Sequence, residues 1–284
     1  MEPTARTLIL DLLSTLRRGA MPVRALVEAG ALFGFEENNV RVSLSKLHAA
    51  GRVARDERGS YRLGDAAAGL ADELRGWRNL EREHRAWRGQ WVGAHLPRLG
   101  RGRERRLRER ALAVLGFREL EAGLHLRPDN LVGGVEGLRE RFAAIAPLGD
   151  PPRVFGVRDL DAAADARARA LWDTKGLLAD YEALADSLDE SLERLPGLSE
   201  EQARVETFRV GGRVVRKLVV DPRLPAPILD PEPRRALVAA TRAYDEVGRR
   251  AWAPFLAEHG VTRSQSSRGW RATHDVAPAV QGAG

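Results

Sequence analysis

EENNVRVSLSKLHAAGRVARDERGSYRL, Glu36 to Leu63, reads as an amphipathic helix, a glycine stop and a short basic hairpin. On a 3.6-residue wheel, Val40, Leu44 and Leu47 share one apolar stripe, and Asn38, Val42, Ser45, Lys46 and Ala49 fall on the opposite face. That opposite face is slim, mixed and nearly free of acids. Small residues let a helix approach another surface closely, and Asn, Ser and Lys are suited to base edges and phosphates. Gly51 stops the helix, as glycine does just past a helix C-terminus. Arg52 to Asp56 and Ser60 to Leu63 read as extended, with Glu57-Arg58-Gly59 as the turn. Helix, stop and basic hairpin are the order in which a winged helix-turn-helix presents its recognition helix and wing; a plain helical surface without a partner has the same periodicity. Candidate DNA contacts are Asn38, Asn39, Arg41, Val42, Ser45, Lys46 and His48 on the helix and Arg55 and Arg58 in the wing. Arg55 has a second available partner in Glu57.

Upstream, Thr4 is a natural cap for a first helix whose buried stripe is Leu8, Ile9, Leu12, Leu13 and Leu16, ended by Arg18-Gly19. Met21-Pro22 is expected to open a second helix through Leu26 and Val27, closed by Gly30. Three helices and a hairpin are thus complete by Leu63, which sets a first domain at 1–64. A charged segment, 65–84, carries Leu70, Leu74, Trp77 and Leu80 at helical spacing and is expected to be a helical linker.

The 284 residues suffice for two or three domains with real cores. A composition of 43% hydrophobic and 30% charged residues is that of a globular protein. With no cysteine, disulfides, thiolate metal sites and a cysteine nucleophile are excluded, and the six histidines lack metal-ligand spacing. No apolar run reaches the ~20 residues that span a bilayer. Acid and polar residues, not a signal peptide, precede the first helix, so a cytoplasmic location without membrane contact is expected. The net charge of +6 is unevenly placed. Arg98 to Arg110 holds seven arginines against Glu104 and Glu109, and Asp180 to Glu206 holds nine acids against Arg194 and Arg204. A basic front and an acidic rear fit nucleic-acid binding by the front. The arginine run also reads as a solvated helix with Arg–Glu pairs, as an auxiliary DNA contact, or as a cradle for coenzyme A phosphates.

The middle, 85–160, alternates as strand Gln90–Leu96, helix Arg101–Leu115, strands Phe117–Leu120 and Leu124–Arg127, helix Val135–Ile145 and strand Arg153–Leu160. This βαββαβ order is the ferredoxin-like plan. From 161 to 259 the chain reads as helical: apolar residues from Leu171 and Trp172 through Leu178, Tyr181, Leu184, Leu188, Leu192 and Leu195, then a helix from Glu200 to about Arg209 broken by Gly211-Gly212. Val214 to Val219 fits helix or strand. Five prolines between Pro222 and Pro233 impose an extended segment, Arg234 to Glu258 is a last helix, and 260–284 is expected to be a disordered tail. The fold class expected is α+β.

TARTLILDLLSTL, FGFEENNVRVSLSKLHAAGRV and RGSYRL resemble the N-terminal domain of PaaX-type transcriptional repressors. WRGQWVGAHLPRL and HLRPDNL resemble that family's central domain, and KLVVDPRLPAPILDPEPRR and AYDEVGRRAWAPFL its C-terminal region. The resemblance covers about Thr4 to Leu256. It implies a ferredoxin-like central domain similar to the CRISPR-associated Cas2 nuclease and a dimeric repressor of a phenylacetate-type catabolic operon. It further implies release from operator DNA by an aryl-acyl-CoA, phenylacetyl-CoA in the namesake family.

An effector site is sought at Trp87, Trp91, Arg127 and Asn130, where core packing for the tryptophans and a strand-end turn for 127–130 are the plainer readings. A Cas2-like metal-dependent nuclease is the rival class. It needs carboxylates to hold a cation, and the first central strand, QWVGAHLP, has none. Asp129 on another element is a lone acid, so neither catalytic residues, a metal site nor a cofactor is expected. A DNA-binding architectural protein without a ligand is the second rival; it leaves some 200 residues without a role.

Overall fold

The computed structural model describes residues 3–16, 19–56, 58–64 and 76–261. Helix α1 (Ala5–Ser14) is capped by Thr4, whose hydroxyl accepts from the Thr7 amide at 3.2 Å. It packs with α2 (Val23–Leu32) and α3 (Glu37–Ala49). Strands β1 (Met21–Pro22), β2 (Val53–Arg55) and β3 (Ser60–Leu63) form an antiparallel sheet in the order β1-β3-β2.

One expectation holds with an addition and one fails. Pro22 is the N-cap of α2, so Met21-Pro22 does lead into that helix, and the pair also forms a short strand on β3, with Met21 opposite Tyr61, because Met21 is drawn into the core and an edge strand tolerates a proline. Gly30 does not close α2. The helix runs on to Leu32, Phe33 caps it, and Gly34 at φ +80° supplies the left-handed turn. The Phe35 amide donates to Gly30 O at 3.0 Å and the Gly34 amide to Ala31 O at 2.9 Å. What Gly30 provides is room. A Cβ there would stand 2.6 Å from Val40 Cγ2, so its small size lets α2 lie against α3. Arg18, expected at the end of α1, lies outside the described residues.

Of the expected linker, Leu70 and Leu74 fall outside the described residues, and residues 77–83 form a 3-10 turn that buries Trp77 and Leu80. Next come β4 (Trp91–His95), α4 (Gly102–Val114), β5 (Arg118–Glu121), β6 (Leu124–Pro128), α5 (Gly134–Ile145) and β7 (Arg153–Val157). The order is βαββαβ. The sheet runs β5-β6-β4-β7 with all pairs antiparallel, so β4 is central. Its Val92 and Ala94 are fully buried.

The rest is helical: α6 (Ala162–Arg169), α7 (Thr174–Arg194), α8 (Glu200–Val219) and α9 (Glu232–Glu258). Of the apolar series, Leu171 and Trp172 precede α7, Leu178 to Leu192 lie on it, and Leu195 follows it. Asp173 starts a new helix by accepting the Gly176 amide at 2.9 Å, and Leu178 and Leu192 lie exposed. Gly211-Gly212 does not break α8, which runs unbroken to Val219. A Cβ at Gly211 would meet the Tyr244 ring of α9 at 3.4 Å, so the glycine brings two helices close together. Segment 222–231 is irregular, as its prolines require.

The hydrophobic clusters cut across the expected domains. One cluster joins the central sheet to α7, α8 and α9. The other is the core of the N-terminal bundle, and the end of the chain completes it: Trp252, Phe255, Leu256 and Val261 pack among Leu8, Leu12 and Leu26. Val261 therefore belongs to the ordered core, one residue past the expected start of the tail; residues 262–284 lie outside the described residues. The architecture is α+β. No helix among the described residues is long and apolar enough to cross a membrane.

Candidate nucleic-acid interface

Helix α3 ends in the same left-handed turn as α2. Gly51 has φ +66°, its amide donates to His48 O at 2.9 Å, and the Arg52 amide donates to Leu47 O at 2.9 Å. This turn aims the chain into β2. Val40, Leu44 and Leu47 are buried, and so is Ser43 on the same side. Asn38, Asn39, Arg41, Val42, Ser45, Lys46 and His48 are all exposed, as is Ala49. Val42, an apolar side chain, is 41% exposed at the middle of this face. Between Asn38 and Arg55 the chain has no acidic residue. Arg41 carries a local counter-charge, Glu37 Oε1 at 2.6 Å one turn earlier.

The hairpin turn is built by Asp56, whose Oδ1 accepts the amides of Arg58 at 3.0 Å and Ser60 at 2.8 Å. Gly59 at φ +79° completes it. Arg58 is exposed at the tip. Arg55 is exposed beside it, its guanidinium 5.9 Å from the Tyr61 ring centre. Glu57, the alternative partner of Arg55, lies outside the described residues. The structure thus brings the nine sequence-derived residues to one helix face and one adjoining turn.

The arginine run divides. Arg105 pairs with Glu109 at 2.7 Å. Arg108 is buried and holds Arg98 O at 3.0 Å, Asp150 O at 2.6 Å and Glu104 at 2.9 Å, which is a structural role. Arg103 and Arg110 face the N-terminal bundle instead. Burial, then the charges of Arg6 and Arg103, hold Arg52 below the usual guanidinium range, and burial and Arg52 do the same to Arg110. Positive charge from α1, α4 and the end of α3 therefore collects in one region, with Asp11 as counter-charge.

Trp91, Arg127 and Asn130 lie in the interior, and Trp87 is half-buried beside them. Trp91 is 1% exposed and stacks parallel on Trp172 at 6.1 Å, with Trp87 edge-on at 5.2 Å. Its indole donates to Asp165 at 2.9 Å. Arg127, 0% exposed, donates to Leu115 O, to Pro128 O at 3.1 Å and to Asn130 Oδ1 at 3.0 Å. Asn130 in turn donates to Arg223 O at 2.7 Å, which ties the proline-rich segment to the central sheet. These groups spend their hydrogen bonds on the chain itself. Among the described residues no cluster of three or more His, Cys, Asp or Glu side chains is placed to hold a metal.

A feature missed in the sequence is a cleft between α1, the 77–83 turn, α8 and α9. Gly211, Gly212 and Gly248 line it. The glycine pair was the available signal, but a break and a close helix contact look alike in sequence.

Residues 4–67 match the family model described as PaaX-like protein, a family of transcriptional regulators. No curated protein matches the chain. Among solved structures, uncharacterized protein Rv0674 from Mycobacterium tuberculosis is similar at 26% identity and a TM-score of 0.57, over 89% of this chain and 98% of that one.

Proposed function

From the premise that residues 4–67 are those of a PaaX-like protein, we propose that the chain is a ligand-responsive repressor that binds operator DNA as a homodimer. The N-terminal unit acts as a winged helix-turn-helix: α3 enters the major groove, and the β2–β3 turn lies on the backbone. The central βαββαβ unit is ferredoxin-like, and it and the C-terminal helices serve as the sensor. The effector is an aryl-acyl-CoA, phenylacetyl-CoA being the first to try, and the target is an aromatic-acid catabolic operon. No catalytic step is assigned.

One observation carries this reading: from Asn38 to Ala49 α3 presents an exposed face without acids, and it leads into a short hairpin that carries Arg55 and Arg58. Asn38, Ser45 and Lys46 offer donors and acceptors for base edges, and Val42 offers a methyl surface for thymine. Arg55 and Arg58 are placed for phosphates.

The test is selection of bound duplexes from fragmented genomic DNA by the full-length protein. The expected result is a symmetric site whose halves lie about one or more helical turns apart, upstream of genes for aromatic-acid breakdown. Enrichment of no sequence over random DNA would remove the repressor reading. A site beside unrelated genes would remove the proposed pathway only.

A further inference from the structure

The cleft between the N-terminal bundle and the last two long helices is used neither by the DNA-facing surface nor by the central sheet. Leu12 of α1 forms one wall, Trp77 another, and Phe208 of α8 and Tyr244 of α9 the rest. It holds about 160 Å³, and an apolar cavity of about 150 Å³ accepts a benzene ring.

The hydroxyls at the inner end are spent within the chain. The hydroxyls of Thr207 and Thr241 donate to Ala203 O and Leu237 O, each at 2.7 Å, and Tyr244 Oη is 2.7 Å from Ser191 Oγ. A polar group placed there would lose its water without replacement, so the inner end selects an apolar group.

The mouth is different. Arg78 and Arg249 share Asp245 at 2.7 and 2.8 Å, and Arg216 of α8 reaches Asp11 of α1 at 3.1 Å. Arg249 also lies 3.7 Å from Glu246, which stands outside the lining. Among the lining side chains three guanidiniums thus face two carboxylates, and between 32% and 48% of each of the three arginine side chains is open to solvent.

We propose that this cleft is the effector seat. It takes a flat apolar group about one ring in size joined to an anionic group, which stands at the mouth against Arg78, Arg216 and Arg249. The proposal rests on the effector reading above and places that effector away from Trp87, Trp91, Arg127 and Asn130. It also supplies a route to the DNA. One wall is α1, which packs on α3, and the other walls are α8 and α9. An anion competing with Asp11 for Arg216 loosens the tie between α1 and α8. The ligand then favours a state in which α3 sits differently, which is all that coupling requires.

The experiment is calorimetric titration of the full-length protein with phenylacetyl-CoA and, separately, with phenylacetate. It is repeated on Val215→Trp, which fills the cleft, and on Arg249→Ala, which removes a cation from the mouth. The expected result is binding by the wild type, weakened tenfold or more in both variants, with operator affinity in the absence of ligand unchanged. If Val215→Trp does not fold, Arg249→Ala carries the test, since its side chain lies at the surface. Thioester binding unchanged in a folded variant overturns the seat and leaves the effector reading standing. Binding of phenylacetate alone, lost in the variants, removes the thioester and keeps the seat. No binding of either compound overturns both.

Discussion

His259, at the C-terminal cap of α9, places Nε2 2.8 Å from Oε2 of Glu28 on α2, joining residues 231 positions apart. Its Nδ1 is 2.8 Å from Phe255 O. Both partners are acceptors, so both contacts are hydrogen bonds when the ring carries two protons. The ring is 5% exposed and rests on Phe255 at 4.5 Å, next to the residues that close the N-terminal core. His259→Ala should lower stability by about 1 kcal/mol, mostly through lost packing, because the Glu28 side chain is 40% exposed and the ion pair is screened by solvent. Urea denaturation measures it. A variant as stable as the wild type would show that α9 is held by its apolar residues alone.

Ser45→Glu should abolish specific operator binding. The side chain is exposed, so the fold tolerates it, but a carboxylate there meets the phosphate-rich groove. Circular dichroism should be unchanged and the gel shift lost. A retained shift would refute the assigned face of α3.

Alanine at Arg55 and Arg58 should weaken specific and nonspecific binding alike. Each phosphate contact removed should reduce the slope of log K against log salt by about 1. Substitutions at Asn38 or Lys46 should instead change base preference. Fluorescence anisotropy over a salt series separates the two. Wing variants that altered preference with an unchanged slope would overturn this division.

Gly30→Ala should destabilise the N-terminal bundle by about 1–3 kcal/mol, because the new Cβ stands 2.6 Å from a methyl of buried Val40. Removing that methyl in a Gly30→Ala, Val40→Ala double variant should recover part of the loss. Stabilisation by the single change would mean that α2 and α3 separate at little cost.

Glu81 links stability to acid pH. It accepts from Arg234 Nε at 3.1 Å and lies 3.5 Å from His84 Nδ1. Burial alone would raise its carboxyl, but the hydrogen bonds and charges of His84 and Arg234 outweigh that and bring it down to about 2. His84 is itself pushed below the usual histidine range, chiefly by burial, so near neutrality the charge comes from Arg234 and from the more exposed Arg235, 3.4 Å from Glu81. A carboxyl with a lower pKa in the folded chain stabilises fully above its unfolded value and loses that contribution as pH falls through the folded one. Discounted for solvent, the stabilisation is about 1–2 kcal/mol. The stability gap between wild type and Glu81→Gln should be full at pH 6 and shrink between about pH 4.5 and 2. A gap independent of pH would remove the ion pair as its cause.

Local signals made much of this chain legible. The wheel of α3 separates Val40, Leu44 and Leu47 from Asn38, Val42, Ser45 and Lys46, and the structure keeps that separation because a 3.6-residue repeat needs no partner to be read. Gly51 stops α3 and Asp56 builds the turn through hydrogen bonds between residues two to five positions apart. The βαββαβ order likewise follows from local alternation.

Tertiary structure decided what depends on a distant partner. Met21 becomes a strand residue because Tyr61 lies beside it. Gly30 and Gly211 stay inside helices because Val40 and Tyr244 press against them, whereas in sequence a glycine made small for a neighbour looks like one that ends a helix. Arg127 and Asn130, polar residues at a strand end, turn inward to carry the proline-rich segment. The N-terminal core is completed by Trp252, Phe255 and Val261, some 200 positions further along, and the cleft exists only where those helices meet α1. Apolar periodicity shows that a face must be covered; which element covers it is settled by shape and packing across the whole chain.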